Sequence, residues 1–108
     1  VELHGAMNRH EINLVDQFTD APGGRYRIHG DHSGEEFREE FLEPALHDYD
    51  EVMVDLDGAL GLPASFLDEA FGPLSEQYDR GKLKFKLTDN DVAERILRDC
   101  FRKHRTAA

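Results

Sequence analysis

The sequence has no tryptophan, one cysteine, four prolines and no long apolar run. With Cys100 alone, an internal disulfide is excluded, and lone cysteines are usually core residues of reduced, intracellular proteins. No stretch approaches the roughly 20 apolar residues of a membrane span. The opening residues, Val1 to His10, lack the apolar stretch of a secretory signal. A cytoplasmic protein without membrane attachment is therefore expected. Basic residues are also scarce: 13 Lys and Arg stand against 23 Asp and Glu, a formal charge of −10. So negative a surface repels phosphate backbones, and nucleic acid is not an expected partner. Basic residues do gather near the end (Arg98, Arg102, Lys103, His104, Arg105), where a helix face complementing its carboxyl-terminal dipole accounts for them.

What is present suffices for one core. Apolar residues make up 39% of 108, and seven are Phe. That fits a single domain, with residues 1–9 as a flexible amino-terminal arm and 10–106 as the folded unit. Ile12, Leu14 and Phe18 predict a first strand over Glu11–Phe18. After the turn signal Pro22-Gly23-Gly24, Arg25–His29 reads as a short second strand with Tyr26 and Ile28 on one face. Ser33 and Glu36 form an S-x-x-E capping box. Phe37, Phe41, Leu42, Ala45 and Leu46 then recur at helical spacing, predicting a helix over Gly34–His47 that Pro44 kinks or shortens. Val52–Leu56 is nearly all apolar, as in a strand buried on both faces.

Ser65 with Asp68 predicts the cap of a second helix, lined by Phe66, Leu67, Ala70, Phe71 and Leu74 and disturbed by Gly72-Pro73. Lys82–Leu87 alternates, with three lysines on one face to discourage edge pairing. Thr88 with Asp91 predicts the cap of a last helix whose stripe is Val92, Ile96, Leu97, Cys100 and Phe101. The order β-β-α-β-α-β-α predicts an α/β fold: a four-stranded, mainly parallel mixed sheet with three helices mostly on one face.

Two segments resemble a known family. One is Ser33-Gly34-Glu35-Glu36-Phe37-Arg38-Glu39-Glu40-Phe41-Leu42-Glu43-Pro44-Ala45-Leu46. The other is Val52-Met53-Val54-Asp55-Leu56-Asp57-Gly58 followed by Ser65-Phe66-Leu67-Asp68-Glu69-Ala70-Phe71-Gly72. Together they resemble the bacterial STAS-like domain family of unknown function, over roughly residues 11–100. The wider STAS family includes anti-sigma factor antagonists, which bind a serine kinase of the histidine-kinase ATPase fold. Those proteins are switched by phosphorylation of a serine at the start of the helix after the central strand. The resemblance thus implies a STAS-like fold, a regulatory protein-binding role and a kinase-fold ATPase as partner class. It places the usual phosphoacceptor on Ala64, with Ser65 one place later, a departure from the pattern.

The residues beside it carry their own chemistry. Ser65 serves either as a helix cap, typically worth about 1 kcal/mol, or as a phosphosite where the helix dipole favours an anion. Asp55, Asp57 and Gly58 lie at the carboxyl end of the central strand, where open α/β sheets bind ligands. Asp57 and Asp68 can accept hydrogen bonds from a partner or hold a cation, although Asp-Gly is also an ordinary turn pair. The partner-binding set is therefore Asp57, Gly58, Ser65, Phe66, Asp68 and Glu69. The alternative function is a small-molecule or cation sensor at the same strand end. His29-Gly30-Asp31-His32 resembles a metal tract, but zinc needs further ligands that no spacing supplies, and an exposed loop is the simpler reading. Glu35, Glu36, Glu39, Glu40 and Glu43 follow helical periodicity away from the apolar stripe, as a solvated acidic face or a second docking surface. With no phosphate-binding loop or nucleophile elbow, neither enzymatic activity nor a cofactor is expected.

Overall fold

The computed structural model describes residues 8–79 and 81–105. Residues 1–7 of the expected arm lie outside them, and Arg9 already belongs to a strand. Strands β1 (Arg9–Asn13), β2 (Glu51–Asp55) and β3 (Leu83–Lys86) form a sheet in that order, and both pairs are parallel. Ile12 registers with Val54, and Val54 with Phe85. Because side chains alternate along a strand, one face carries these apolar rows. The other carries Arg9 beside Glu51, Glu11 beside Met53 and Lys84, and Asn13 beside Asp55 and Lys86. On that polar face Glu51 pairs with Lys84 at 3.3 Å and with Arg9 at 3.7 Å.

The sheet differs from expectation in two places. The first strand stops at Asn13, and a single helical turn, α1 (Leu14–Gln17), takes over. The Asn13 side chain accepts the Asp16 amide at 2.9 Å, and Gln17 Oε1 accepts the Asn13 amide at 2.6 Å, so capping ends the strand. Phe18 drops into an aromatic cluster with Phe37, Phe41 and Phe66. The second expected strand, Arg25–His29, is a loop with one 3-10 turn at Arg27–His29. Its neighbouring carbonyls serve a helix instead: Gly34 donates to Gly24 at 2.9 Å and Glu35 to Arg25 at 3.0 Å. A helix start leaves amides without internal partners, and here the loop supplies them. Among the described residues the sheet therefore has three strands, all parallel, rather than four.

The first long helix is continuous through α2 (Gly34–Phe37), a π-helical turn (Arg38–Leu42) and α3 (Glu43–Asp48). Ser33 Oγ accepts the Glu36 amide at 3.0 Å, as its sequence signature predicts. Glu36 returns to the His32 amide at 3.1 Å, one residue before the cap. Pro44 neither ends nor breaks the helix. The widened turn comes just before it, with the Glu43 amide reaching back five residues to Arg38, which accommodates the proline ring.

Helix α4 (Ala64–Ser75) packs across α2 at Gly34. A Cβ there would lie 2.5 Å from the Phe66 carbonyl oxygen, so only glycine permits this approach. Helix α5 (Asp91–Arg105) packs on α4 and is capped by Asn90, whose side chain accepts the Ala93 amide at 3.1 Å; Thr88 has another task. Its buried stripe is Ala93, Leu97, Cys100 and Phe101, while Val92 is 72% exposed. The core lies between the helices and the apolar sheet face, centred on Phe37, Phe66, Phe71, Leu67 and Val54.

Candidate functional site

The carboxyl ends of the strands open onto a rim built from three loops. After β2, Leu56 is buried and its amide donates to Lys86 at 2.9 Å. Asp55 Oδ1 then accepts the Asp57 amide at 3.0 Å, an Asx turn that Gly58 completes at φ +95°. Asp57 Oδ1 accepts the Thr88 amide at 2.6 Å, joining this loop to the one after β3. The Leu60 amide donates to the Asp20 carbonyl at 2.7 Å, joining it to the loop after β1. The three loops are thus cross-tied. Yet the Leu60 side chain is 81% exposed, and Gly58, Pro63 and Ala64 face solvent. Sequence patterning missed Leu60 because a single apolar residue in a loop has no periodicity.

Ser65 is half-buried and is not the cap of α4. Pro63 occupies that place, no side chain caps the helix, and Ser65 is its second residue. The reason is backbone geometry: Pro63 holds φ −58° and ψ 142°, and its carbonyl accepts the first helical bond, from Leu67 at 3.1 Å. Phe66 has no exposed surface and stacks on Phe37 with ring centres 5.9 Å apart. Phe66 therefore anchors the helix and offers no contact to a partner. Pro73 lies inside α4 without ending it.

Asp68 and Glu69 enter an arginine clamp made by the loop that follows α1 and by the first long helix. Arg25 Nη1 is 2.7 Å from Asp68 and 3.8 Å from Glu69. Arg38 Nη2 is 2.7 Å from Glu69, and its Nη1 is 3.0 Å from Glu43. The Cys100 thiol also faces Asp68, at 3.6 Å. Arg38 makes one further bond that explains how Pro73 is tolerated. Proline has no amide to donate to the carbonyl four residues back, which is that of Glu69. Arg38 Nε donates to that same oxygen at 3.1 Å.

The Arg25 pKa is raised, chiefly by its hydrogen bond to Asp68. For Arg38 burial is the largest influence and pulls its pKa down. Hydrogen bonds to Glu69 and Glu43 outweigh it, and the net direction is up. Neither arginine carries a local sequence signal for this role, since Asp68 and Glu69 are distant from both along the chain.

The other candidates are dispersed. Arg27 pairs with Glu39 and Glu40, each at 3.1 Å, and its amide donates to Glu35 at 2.9 Å, so the acidic helix face is partly neutralised by the loop beside it. His29 faces Tyr26, whereas His32 meets the edge of Phe18. Among the described residues no group of three His, Cys, Asp or Glu could hold a metal ion. Among them, too, no helix is long and apolar enough to cross a membrane.

A family model described as the STAS-like domain of unknown function (DUF4325) matches residues 33–93, more than half of the chain. The chain belongs to that family. The match to the STAS-like domain begins at the capping Ser33 and takes in the first long helix, β2, the rim loop, α4 and β3. It includes both sides of the Arg38–Glu69 link, while Arg25 lies outside it. No curated protein and no solved structure matches the chain significantly.

Proposed function

We propose that this STAS-like domain is a regulatory module that binds another protein through the rim at the strand ends. The observation that carries the reading is Leu60: a large apolar side chain, 81% exposed, on a loop whose amide is tied to a neighbouring loop. An apolar anchor on a pre-ordered loop is the kind of group that dominates binding energy, because little ordering entropy is lost on docking. Asp57, Gly58 and Ser65 flank it on the same segment, and Val92 is exposed just past the adjoining loop. The partner class is the one the family resemblance suggests, an ATPase of the histidine-kinase fold. The chain's charge of −10 favours a partner with a basic docking face, with association slowed by salt.

In this reading the domain has no chemistry of its own. Asp55 and Asp57, the carboxylates of the strand end, already serve backbone amides, and Asp55 also faces Lys86 at 3.8 Å. Ser65 is the switch position: a phosphate there brings about −1.5 to −2 charges to a helix start without a side-chain cap. Calorimetry with a kinase-fold ATPase from the same genome tests this. Leu60→Asp should weaken binding at least about tenfold, or about 1.4 kcal/mol. Ser65→Asp should weaken it, and Ser65→Ala should retain it. Unchanged affinity for Leu60→Asp would remove the rim as the interface, and equal affinity for both Ser65 variants would remove the switch. A melting-point rise on adding Mg²⁺, Ca²⁺, Zn²⁺ or a nucleotide would favour a sensor instead.

A further inference from the structure

The two edges of the sheet are defended differently. Natural sheets blunt exposed edges with lysines, prolines, bulges or very short strands. Strand β3 follows that rule: it spans four residues, carries Lys84 and Lys86, and is preceded by Lys82. Strand β1, one residue longer, carries one exposed charge of each sign, Arg9 and Glu11, so charge alone does not repel a second copy of the same strand. Its inward groups are fixed by the parallel register, in which Glu51 donates to the Asn8 carbonyl at 3.2 Å. Main-chain groups alternate sides along a strand, so those of Arg9, Glu11 and Asn13 face outward. Gln17 already accepts the Asn13 amide. Among the described residues, no strand pairs with Arg9 or Glu11 on that side.

We infer that β1 is a self-association edge, which pairs antiparallel with β1 of a second copy about a two-fold axis at His10. Charge selects this register. It sets Arg9 of each copy against Glu11 of the other, two opposite-charge pairs on the polar face. The register shifted by one step sets Glu11 against Glu11, which is repulsive. The chosen pairing also extends a row already present. Lys84, Glu51 and Arg9 alternate in sign across the three strands, with contacts of 3.3 Å and 3.7 Å, and Glu11 of the second copy continues it. On the other face His10 stacks on Tyr49 at 4.5 Å beside a cleft of about 220 Å³ that Ile12, Phe41, Glu40 and Asp48 also line, and His10 of the second copy packs against that side of it. The product is one continuous sheet of two isologous halves.

Sedimentation equilibrium of the whole chain tests this directly. The weight-average mass should rise with concentration from 12.3 kDa toward twice that value. Arg9→Glu alone and Glu11→Arg alone should each remain monomeric, because each sets like charges against each other. Mixing the two variants should restore the dimer, since every facing pair is then opposite in sign. That rescue also shows that both variants are folded. A wild type that stays monomeric at all concentrations overturns the inference and leaves the edge to a strand from another protein. A dimer that survives either single swap overturns it too. For the register, His10→Cys should form a disulfide-linked dimer readily, because residues facing each other on the axis have Cα atoms about 4.5 Å apart. Faster cross-linking by Glu11→Cys would overturn that register.

Discussion

At its amino end, α4 leaves Ala64 exposed and Ser65 half-buried, with no side chain capping the helix; one turn later, Asp68 and Glu69 are held by arginines from two other parts of the chain. In sequence both places are pairs of residues set off the apolar stripe, with no partner visible nearby. The difference comes from what the rest of the fold brings near them. The loop after Pro22 delivers Arg25, and the first long helix delivers Arg38. Among the described residues no arginine reaches the rim, where the cross-ties are backbone groups, Asp57 and the looser Asp55–Lys86 pair at 3.8 Å. One turn of a helix thus separates an uncapped helix start from a joint that holds three elements together.

That contrast can be broken in order of expected effect. Phe66→Ala removes the ring on which Phe37 stacks and should cost about 3–5 kcal/mol in denaturant unfolding, since the site is fully enclosed. Arg38→Met should cost about 1–3 kcal/mol, because it leaves the Glu69 carboxylate and the carbonyl opposite Pro73 without their donor. Arg38→Lys should recover only part of this, as an ammonium restores charge but not the forked geometry. The Arg38 penalty should also be the same from about pH 6 to about pH 9. A folded-state pKa raised above the unfolded value gives stability that is complete below the unfolded pKa. It is lost only as pH climbs through the folded one, deep in the alkaline range. Arg25→Ala should cost no more than about 1 kcal/mol and less in high salt, because Arg25 and Asp68 are each about a third or more open to solvent.

Much of the architecture was legible because it rests on local rules. The Ser33 signature, the apolar run ending at Leu56 and the alternation around Leu83 each set an element from within its own few residues. Expectations failed where a distant group outbid the local pattern. Arg25–His29 resembles a strand, but its neighbouring carbonyls are claimed by the amides that start α2. Leu14 and Phe18 fit a strand face as poorly as their spacing suggests, because Asn13 and Gln17 cap a helical turn between them. Thr88 resembles a cap, but α5 starts at Asp91 and the Asn90 side chain takes that place. For the candidate site, the sequence singled out the loop of Asp57 and Gly58 from its position after the central strand. It could not show that Phe66, placed in the partner-binding set, is enclosed, or that Asp68 and Glu69 pair with Arg25 and Arg38, since neither burial nor an arginine more than 30 residues away can be read from spacing.

The central claim is that the rim is surplus to folding and the arginine joint is not. Equilibrium unfolding of Leu60→Asp tests it most directly. The account predicts a free energy within about 0.5 kcal/mol of wild type, as for any substitution at a surface that packs on nothing. A loss above about 2 kcal/mol would show that Leu60 is held by the fold itself, and the rim would then have no apolar anchor to offer a partner.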